Sequence, residues 1–352
     1  MGVLGAVVLV VMVVASLGTL PYTLGRGPAP PGESLGIAPR RFEATNLDAA
    51  LLPPAWAPHA ADERERAAAL DGAGGLRILG TDRLGRDLLV RGLAGGGISL
   101  GIGLAAAAIA VLIGTVYGTV AGYLGGRWDS VLMRIVDILY GLPYVLLVVL
   151  LAVAVDGLME RWGRGLGPGW RQAINVVTLL VAIGSVSWLT MARVIRGQVL
   201  SLKAQPFMEA CRALGVPLRG QMWRHLLPNL MGPIVVYATL AVPAAILSES
   251  FLSFLGIGVR EPLPSWGNLA ADGLNELNTV RVRWWLLLWP CLLIGITLLA
   301  LNFAGEGLRE AFDPRRSGRA VATKDKPGPP PRGPSVEKGA PRATAIQNIP
   351  DA

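Results

Sequence analysis

Charge is scarce in this chain. Asp, Glu, Lys and Arg make up 16% of its 352 residues, against about a quarter in soluble domains, so a water-soluble globular protein is excluded. Cysteine and histidine are rarer still: Cys211, Cys291, His59 and His225 are the whole supply. Two cysteines build no disulfide framework and lack metal-ligand spacing, so no metal site is expected. The sequence contains no G-x-x-x-x-G-K-[ST] phosphate loop, no H-E-x-x-H pair and no G-x-S-x-G elbow. A membrane-bound enzyme with its site in a loop therefore has little to stand on.

Apolar residues and glycine are abundant. Hydrophobic residues make up 52%, glycine numbers 45, and the mean hydropathy is +0.50. Glycine is more frequent in membrane helices than in soluble ones. A bilayer core needs about 20 apolar residues per helix. Six segments supply them: residues 3–20 (stopped by Pro21), 99–124, 131–155, 173–195, 229–256 and 284–304. None alternates as a strand does, and helices are the economical answer in lipid. Glycines at 95–103 read as close helix packing and those at 72–75 as a turn. The first span has no basic flank (the first cation is Arg26) and no small-x-small cleavage site follows it. It reads as a membrane helix rather than a cleaved signal, and the missing flank leaves open a start upstream of Met1.

The net charge of +8 and isoelectric point near 10.0 are unevenly placed. Between spans four and five stand Arg196, Lys203, Arg212, Arg219 and Arg224 against one acid, Glu209; after span six come Arg309, Arg315, Arg316 and Arg319. The positive-inside rule makes that side cytoplasmic, with both termini. The expected division is a first transmembrane helix at 1–20, an extracytoplasmic loop at 21–97, a five-helix core at 98–312 with a cytoplasmic loop at 201–228, and a disordered cytoplasmic tail at 313–352. The basic excess then reads as orientation and contact with anionic lipid, not as nucleic-acid binding. Trp162, Trp170, Trp266, Trp284 and Trp285 stand near predicted span ends and read as interface anchors, not as a substrate cage.

The segment 205–217 carries the most local information. Pro206 suits the first turn of a helix, where its missing N–H costs nothing. Gly215 suits the left-handed position past the last turn, and Pro217 blocks continuation. The spacing predicts a two-turn helix with Phe207, Met208, Cys211 and Leu214 on one face and Glu209 and Arg212 beside it. A second short stretch, 218–226, is expected to end at Pro228. So short a helix is marginal alone, and must lean on its own spans or on another subunit.

Glu209-Ala-Cys-Arg-Ala-Leu-Gly215, followed after nine residues by His225-Leu-Leu-Pro228-Asn229, resembles the "EAA" loop of permease subunits of ABC importers, with Cys211 in place of the second alanine. Gly80-Thr-Asp-Arg-Leu-Gly-Arg-Asp87 is similar to a signature of the oligopeptide/dipeptide/nickel permease group. So are Arg193-Val-Ile-Arg-Gly-Gln-Val-Leu-Ser-Leu-Lys203, Ser250-Phe-Leu-Ser-Phe-Leu-Gly-Ile-Gly258 and Pro264-Ser-Trp-Gly267. These matches span roughly residues 76–312, and the long loop after the first span resembles that of the "C" permease of the pair.

The resemblance implies an all-α membrane protein of six transmembrane helices with the type I ABC importer permease fold and a cytoplasmic coupling helix. It implies a bacterial or archaeal inner membrane, a second permease in a heterodimer, two ATPase subunits that use ATP and magnesium, and an extracytoplasmic solute-binding protein, with no cofactor on this chain. The cargo it implies is a di- or oligopeptide, with nickel or another small solute as the alternative. Coupling to an ATPase would fall to Phe207, Met208, Glu209, Ala210, Cys211, Arg212, Leu214, Gly215 and Pro228. Ionisable residues inside spans are functional candidates. Glu249, with Ser253 nearby, either lines the translocation path or hydrogen-bonds across helices. Arg134 and Asp137, three apart, read as a structural ion pair. Asp82, Gly85, Arg86 and Asp87 either dock the binding protein or brace the outer loop, Asp82 and Arg86 by a helical i,i+4 pair above Leu84, Leu88 and Leu89. A stand-alone secondary transporter would show inverted repeats with broken helices, and no internal repeat is visible.

Overall fold

A computed structural model describes residues 1–27, 38–70, 77–162, 167–277 and 281–311. The glycine turn at 72–75 and the tail at 313–352 lie outside the described residues, as does the side chain of Trp162. In chain order the helices are α1 (Gly2–Gly18), α2 (Leu20–Thr23), α3 (Ala61–Ala69), α4 (Leu88–Leu124), α5 (Gly126–Tyr140), α6 (Tyr144–Trp162), α7 (Pro168–Lys203), α8 (Pro206–Ala213), α9 (Leu218–Gly220), α10 (Leu227–Phe254), α11 (Trp266–Asn275) and α12 (Trp284–Ala311). Among the described residues there is no strand, only isolated bridges such as Thr81 with Asp87. Five helices are long and apolar enough to cross a membrane, and the pair α5–α6 makes a sixth span if its two halves are taken together.

Three expectations change at prolines. Pro21 does not stop the first helix: the chain pauses at Thr19 and Pro21 sits in the first turn of α2, where it forfeits no bond. The third span is not one helix. α5 and α6 meet at 87° across Gly141, Leu142 and Pro143, because a proline pushes its predecessor out of the helical region. The first half is amphipathic, burying Asp129, Met133 and Val136 while Trp128, Val131, Ile135 and Ile138 stay exposed. Pro228 ends nothing either. α9 passes through a π-helical turn, Gln221–Leu226, straight into α10, so that Leu218–Phe254 is one helix. The wider turn accommodates a residue that cannot donate the regular bond.

α4 and α7 pack along much of their length. Gly114, Gly118 and Gly122, one helical turn apart, turn toward Met191, Ala192 with Ile195, and Val199 respectively. A Cβ at Gly122 would come within 2.9 Å of Val199, so these positions let the two backbones approach as small-xxx-small faces do in membranes. Around this pair Ile102, Ala106, Val136, Leu179, Ile183 and Ala245 form the main buried cluster, drawing in α5 and α10. α12 packs against α1 and α11. The helix α4 begins eleven residues before the expected 99, because Asp87 caps it: its Oδ1 accepts the N–H groups of Leu89 (2.8 Å) and Val90 (3.3 Å).

The segment before α4 is anchored to the helices. Phe42 and Leu52 are buried. The Thr81 hydroxyl accepts the Leu52 N–H at 2.9 Å and donates to the Ala49 carbonyl at 2.5 Å. Trp285 Nε1 donates to the Thr81 carbonyl at 3.3 Å. Trp266 and Trp285 are 0% and 4% exposed, so neither is an interface anchor: both fill the interior, and the indole N–H of Trp266 is satisfied by the Gly92 carbonyl at 2.9 Å. Trp170, by contrast, is exposed.

Candidate functional site

Three groups of residues stand out. At one end lies α8, packed against α7 and the π turn. Its first residue is Pro206, and it ends in a Schellman motif: the Val216 N–H donates to the Cys211 carbonyl and the Gly215 N–H to the Arg212 carbonyl, both at 3.0 Å. Gly215 has φ +69, the left-handed conformation the sequence anticipates. The supposed single apolar face divides. Met208 and Cys211 are buried, whereas Phe207, Glu209, Ala210, Leu214 and Gly215 are exposed, Leu214 at 82%. A two-turn helix cannot stand alone, so its inner half must be spent on its own chain. Arg212 does not face Glu209; its Nη2 donates to the Lys203 carbonyl at 3.3 Å. Pro228 is exposed, just past the π-helical turn within the continuous helix.

Polar bonds fix this end to the spans. Gln221 links two elements: its Nε2 donates to the Val216 carbonyl at 2.7 Å and its Oε1 accepts the Tyr123 hydroxyl at 2.8 Å. Arg196 grips Asp129 with two nitrogens, each at 2.6 Å. Asp137 pairs with Arg193 at 3.1 Å, and not with Arg134 on its own helix. Arg193 also lies over the Tyr140 ring at 4.1 Å. The exposed apolar surface beside α8 is completed by Leu218 and Trp223, 57% and 65% exposed. The sequence reading missed Trp223; a tryptophan among Arg219 and Arg224 was the available signal.

Between the two ends a cavity of about 620 Å³ opens beside the α5–α6 bend. Tyr140, Tyr144, Thr190, Tyr237, Ala241 and Ser248 contribute to its wall. Glu249 does not. It is fully buried with Ser253, whose hydroxyl donates to Glu249 Oε1 at 2.7 Å, and Ser250 donates to Oε2 at 3.3 Å.

At the other end charged groups condense around Arg91, which is 0% exposed. Arg91 reaches Asp82 at 2.5 Å and Glu261 at 3.3 Å, and Arg86 reaches the same two acids at 2.6 and 3.1 Å. The expected Asp82–Arg86 pair forms, but in a turn rather than on a helix. Asp82 Oδ1 accepts the N–H groups of Leu84 and Arg86, both at 2.9 Å, and Gly85 turns at φ +70. Asp272 Oδ2 lies 3.6 Å from Arg91. Its carboxyl is held above the ordinary range by burial, against the pull of Arg91. Burial raises that of Asp87 too, despite its two cap bonds. Arg91, Glu261 and Asp272 are the residues sequence reasoning did not see; Arg91 is nine residues from Asp82, but Glu261 and Asp272 lie far from both along the chain. The described residues hold no group of three or more His, Cys, Asp or Glu able to hold a metal.

Comparison with known proteins places this geometry. Residues 114–318 match the family described as binding-protein-dependent transport system inner membrane component. The chain is 50% identical over 236 residues to the oligopeptide transport system permease protein OppC of Escherichia coli K12, covering 67% of this chain and 72% of that one. It is 44% identical over 241 residues to OppC of Haemophilus influenzae, covering 68% and 71%. To the dipeptide transport system permease protein DppC of Bacillus subtilis it is 42% identical over 236 residues, covering 67% and 68%.

Proposed function

The chain belongs to the family of inner membrane components of binding-protein-dependent transport systems, and from that membership we propose how its parts divide the work of import. It is a multi-pass membrane permease subunit of an ABC importer, a transport component rather than an enzyme, and works with ATPase and solute-binding partners. The cargo is a di- or oligopeptide. The observation that carries this is the 50% identity to an oligopeptide permease, across two thirds of the chain.

The finer assembly is a heterodimer with a second permease, two ATPase subunits below it and a binding protein above. Basic residues near α8 support a cytoplasmic position for that end and for both termini. α8 enters an ATPase groove with its exposed half: Phe207 and Leu214 give apolar contact, Glu209 meets a cation on the partner, and Gly215 lets the backbone turn. Closure of the ATPases on ATP displaces α8, and the continuous helix from Leu218 to Phe254 carries that displacement across the bilayer, exchanging outward for inward access. The cavity at Tyr140, Tyr144 and Tyr237 is this subunit's share of the path. Its hydroxyls can hydrogen-bond a peptide backbone, and its largely apolar wall gives charged side chains no fixed partner.

Proteoliposomes holding the complete complex test the reading. ATP-dependent accumulation of labelled tri-alanine, requiring the binding protein, is the expected result. Accumulation of a nickel chelate and not of tri-alanine would reassign the cargo. Uptake without ATPase subunits would overturn the importer reading itself.

A further inference from the structure

Gln221 is 6% exposed and opens the π-helical turn at the root of α10. Both ends of its amide are in use. Its Oε1 accepts the Tyr123 hydroxyl at 2.8 Å, and its Nε2 donates to the Val216 carbonyl at 2.7 Å. Each partner is itself held. The Tyr123 carbonyl lies in the last turn of α4, where the helix supplies no N–H to meet it, and it accepts Lys203 Nζ at 2.6 Å. Lys203 closes α7, and its own carbonyl accepts Arg212 Nη2 of α8 at 3.3 Å. The Val216 N–H donates to the Cys211 carbonyl of α8 at 3.0 Å. These bonds form a closed circuit. It leaves α8 at Arg212, passes through the ends of α7 and α4, crosses to the π turn at Gln221 and returns to α8 through Val216.

The circuit joins what the chain alone does not. α8 is continuous with α7 on one side and with α9 on the other, but Tyr123 stands 98 residues before Gln221. Among the described residues α8 packs on α7 and the π turn rather than on α4. The Tyr123 ring is set by packing, in an apolar cluster with Val199, Met222 and Leu226. Because α4 and α7 meet closely at Gly114, Gly118 and Gly122, a bond to the end of α4 is a bond to the pair. An amide suits the crossing. It accepts from a hydroxyl and donates to a carbonyl without charge, which a carboxylate or an ammonium cannot do.

We propose that Gln221 is a positioning residue of the coupling loop: it clasps the stop of α8 and the root of α10 to the end of α4, so that displacement of α8 is delivered to the α4–α7 pair as well as along α10. The amide acts through the two groups it holds and touches neither nucleotide nor solute. This rests on the reading of the chain as an importer permease whose α8 is moved by the ATPases.

Two measurements on the assembled complex test it, with two variants. Gln221→Met keeps the length of the side chain and removes both bonds. Tyr123→Phe removes one hydroxyl and leaves the ring in its cluster, so it keeps the test open if Gln221→Met fails to fold. Spin labels on Val116→Cys of α4 and Arg219→Cys of α9, both exposed positions, with the exposed Cys291 replaced by serine, report the clasp without reference to any cargo. One narrow distance, the same without nucleotide and after trapping with ATP and vanadate, is expected. Either variant should broaden that distance or make it depend on nucleotide. A distance that changes with nucleotide in the otherwise native protein, or one unmoved by both variants, would overturn the proposal. The second measurement is the number of tri-alanine molecules imported per ATP hydrolysed. Gln221→Met should lower it by about tenfold and Tyr123→Phe by about threefold, sizes ordinary for residues of a coupling network. Tyr123→Phe added to Gln221→Met should lower it no further, because the bond between them is already gone. A native ratio in both single variants, or losses that multiply in the double, overturns the proposal, because a purely structural role lowers the yield of complex and not the ratio. Failure of the native complex to import tri-alanine would count against the peptide reading and leave the label distances to decide the clasp.

Discussion

Arg91 Nη1 lies 2.5 Å from Asp82 Oδ2, with the arginine wholly buried and the aspartate side chain 5% exposed. The aspartate also holds Arg86 at 2.6 Å, and the other acid shared by both arginines, Glu261, is 57% exposed. Asp82 is therefore the one buried anion between two buried cations. Asp82→Asn keeps the side chain's shape but leaves those cations facing each other, at a cost of about 3 kcal/mol. Arg91→Met should cost less, since Arg86 still answers Asp82. Thermal unfolding of the purified protein should rank native above Arg91→Met above Asp82→Asn, with the double variant better than Asp82→Asn alone. Equal midpoints for native and Asp82→Asn would remove the network's structural weight.

Two glycines of α4 should respond oppositely to alanine. A Cβ at Gly118 would press on the Ala192 carbonyl and come within 3.0 Å of Ile195, whereas one at Gly101 would meet nothing within 4 Å. Gly118→Ala must push α7 away, costing about 1–3 kcal/mol as other overpacked substitutions do. Gly101→Ala should be neutral or mildly stabilising, because alanine is the better helix former. The two unfolding midpoints, measured in one detergent, decide the matter. If both variants behave alike, close packing of α4 on α7 is not what the glycines supply.

What the sequence makes legible here is what local chemistry decides. α8 and its stop are readable because Pro206, the apolar spacing and Gly215 act within two turns of one another. The apolar spans are readable because lipid imposes a length. The bend at Pro143 is hidden by that same apolarity, since hydropathy continues across it. Trp266 looks like an interface anchor by its place at a span end, and only the Gly92 carbonyl and Ser99, over 160 residues away, make it interior. Arg91 is the last charge before a charge-free stretch, so nothing local marks it as buried. Its partners Glu261 and Asp272 belong to a different part of the chain.

Gly215 should tolerate substituents in the order of their left-handed preference. Nothing lies within 4 Å of its added Cβ, and φ is +69, so the constraint is conformational and not steric. Alanine there costs about 1–2 kcal/mol, and asparagine less, because it enters this region more readily. ATP-dependent import by the assembled complex should fall from Gly to Asn to Ala to Val at 215. If Asn and Ala inactivate equally, the glycine is needed for direct approach of the ATPase and not for the turn.

Acid should separate two carboxylates of the outer segment. Arg281 donates to both oxygens of Asp62, at 2.6 and 3.0 Å, and that hydrogen bond holds the Asp62 carboxyl below its ordinary value. Asp272 is shifted the other way, by burial. A lowered carboxyl contributes stability above its unfolded pKa of about 3.9, and loses it as pH falls through the folded value. Asp62→Asn should therefore lower the unfolding midpoint at neutral pH, and the difference from native should close below about pH 4. For Asp272 the sign reverses: the ionised form is disfavoured in the folded protein at neutral pH, and that penalty fades as pH falls through the raised folded pKa toward the unfolded one. Asp272→Asn should raise the midpoint at neutral pH, by a small amount because the side chain is 49% exposed and water screens it. Midpoint differences that are independent of pH for both variants would show that neither carboxylate titrates with folding.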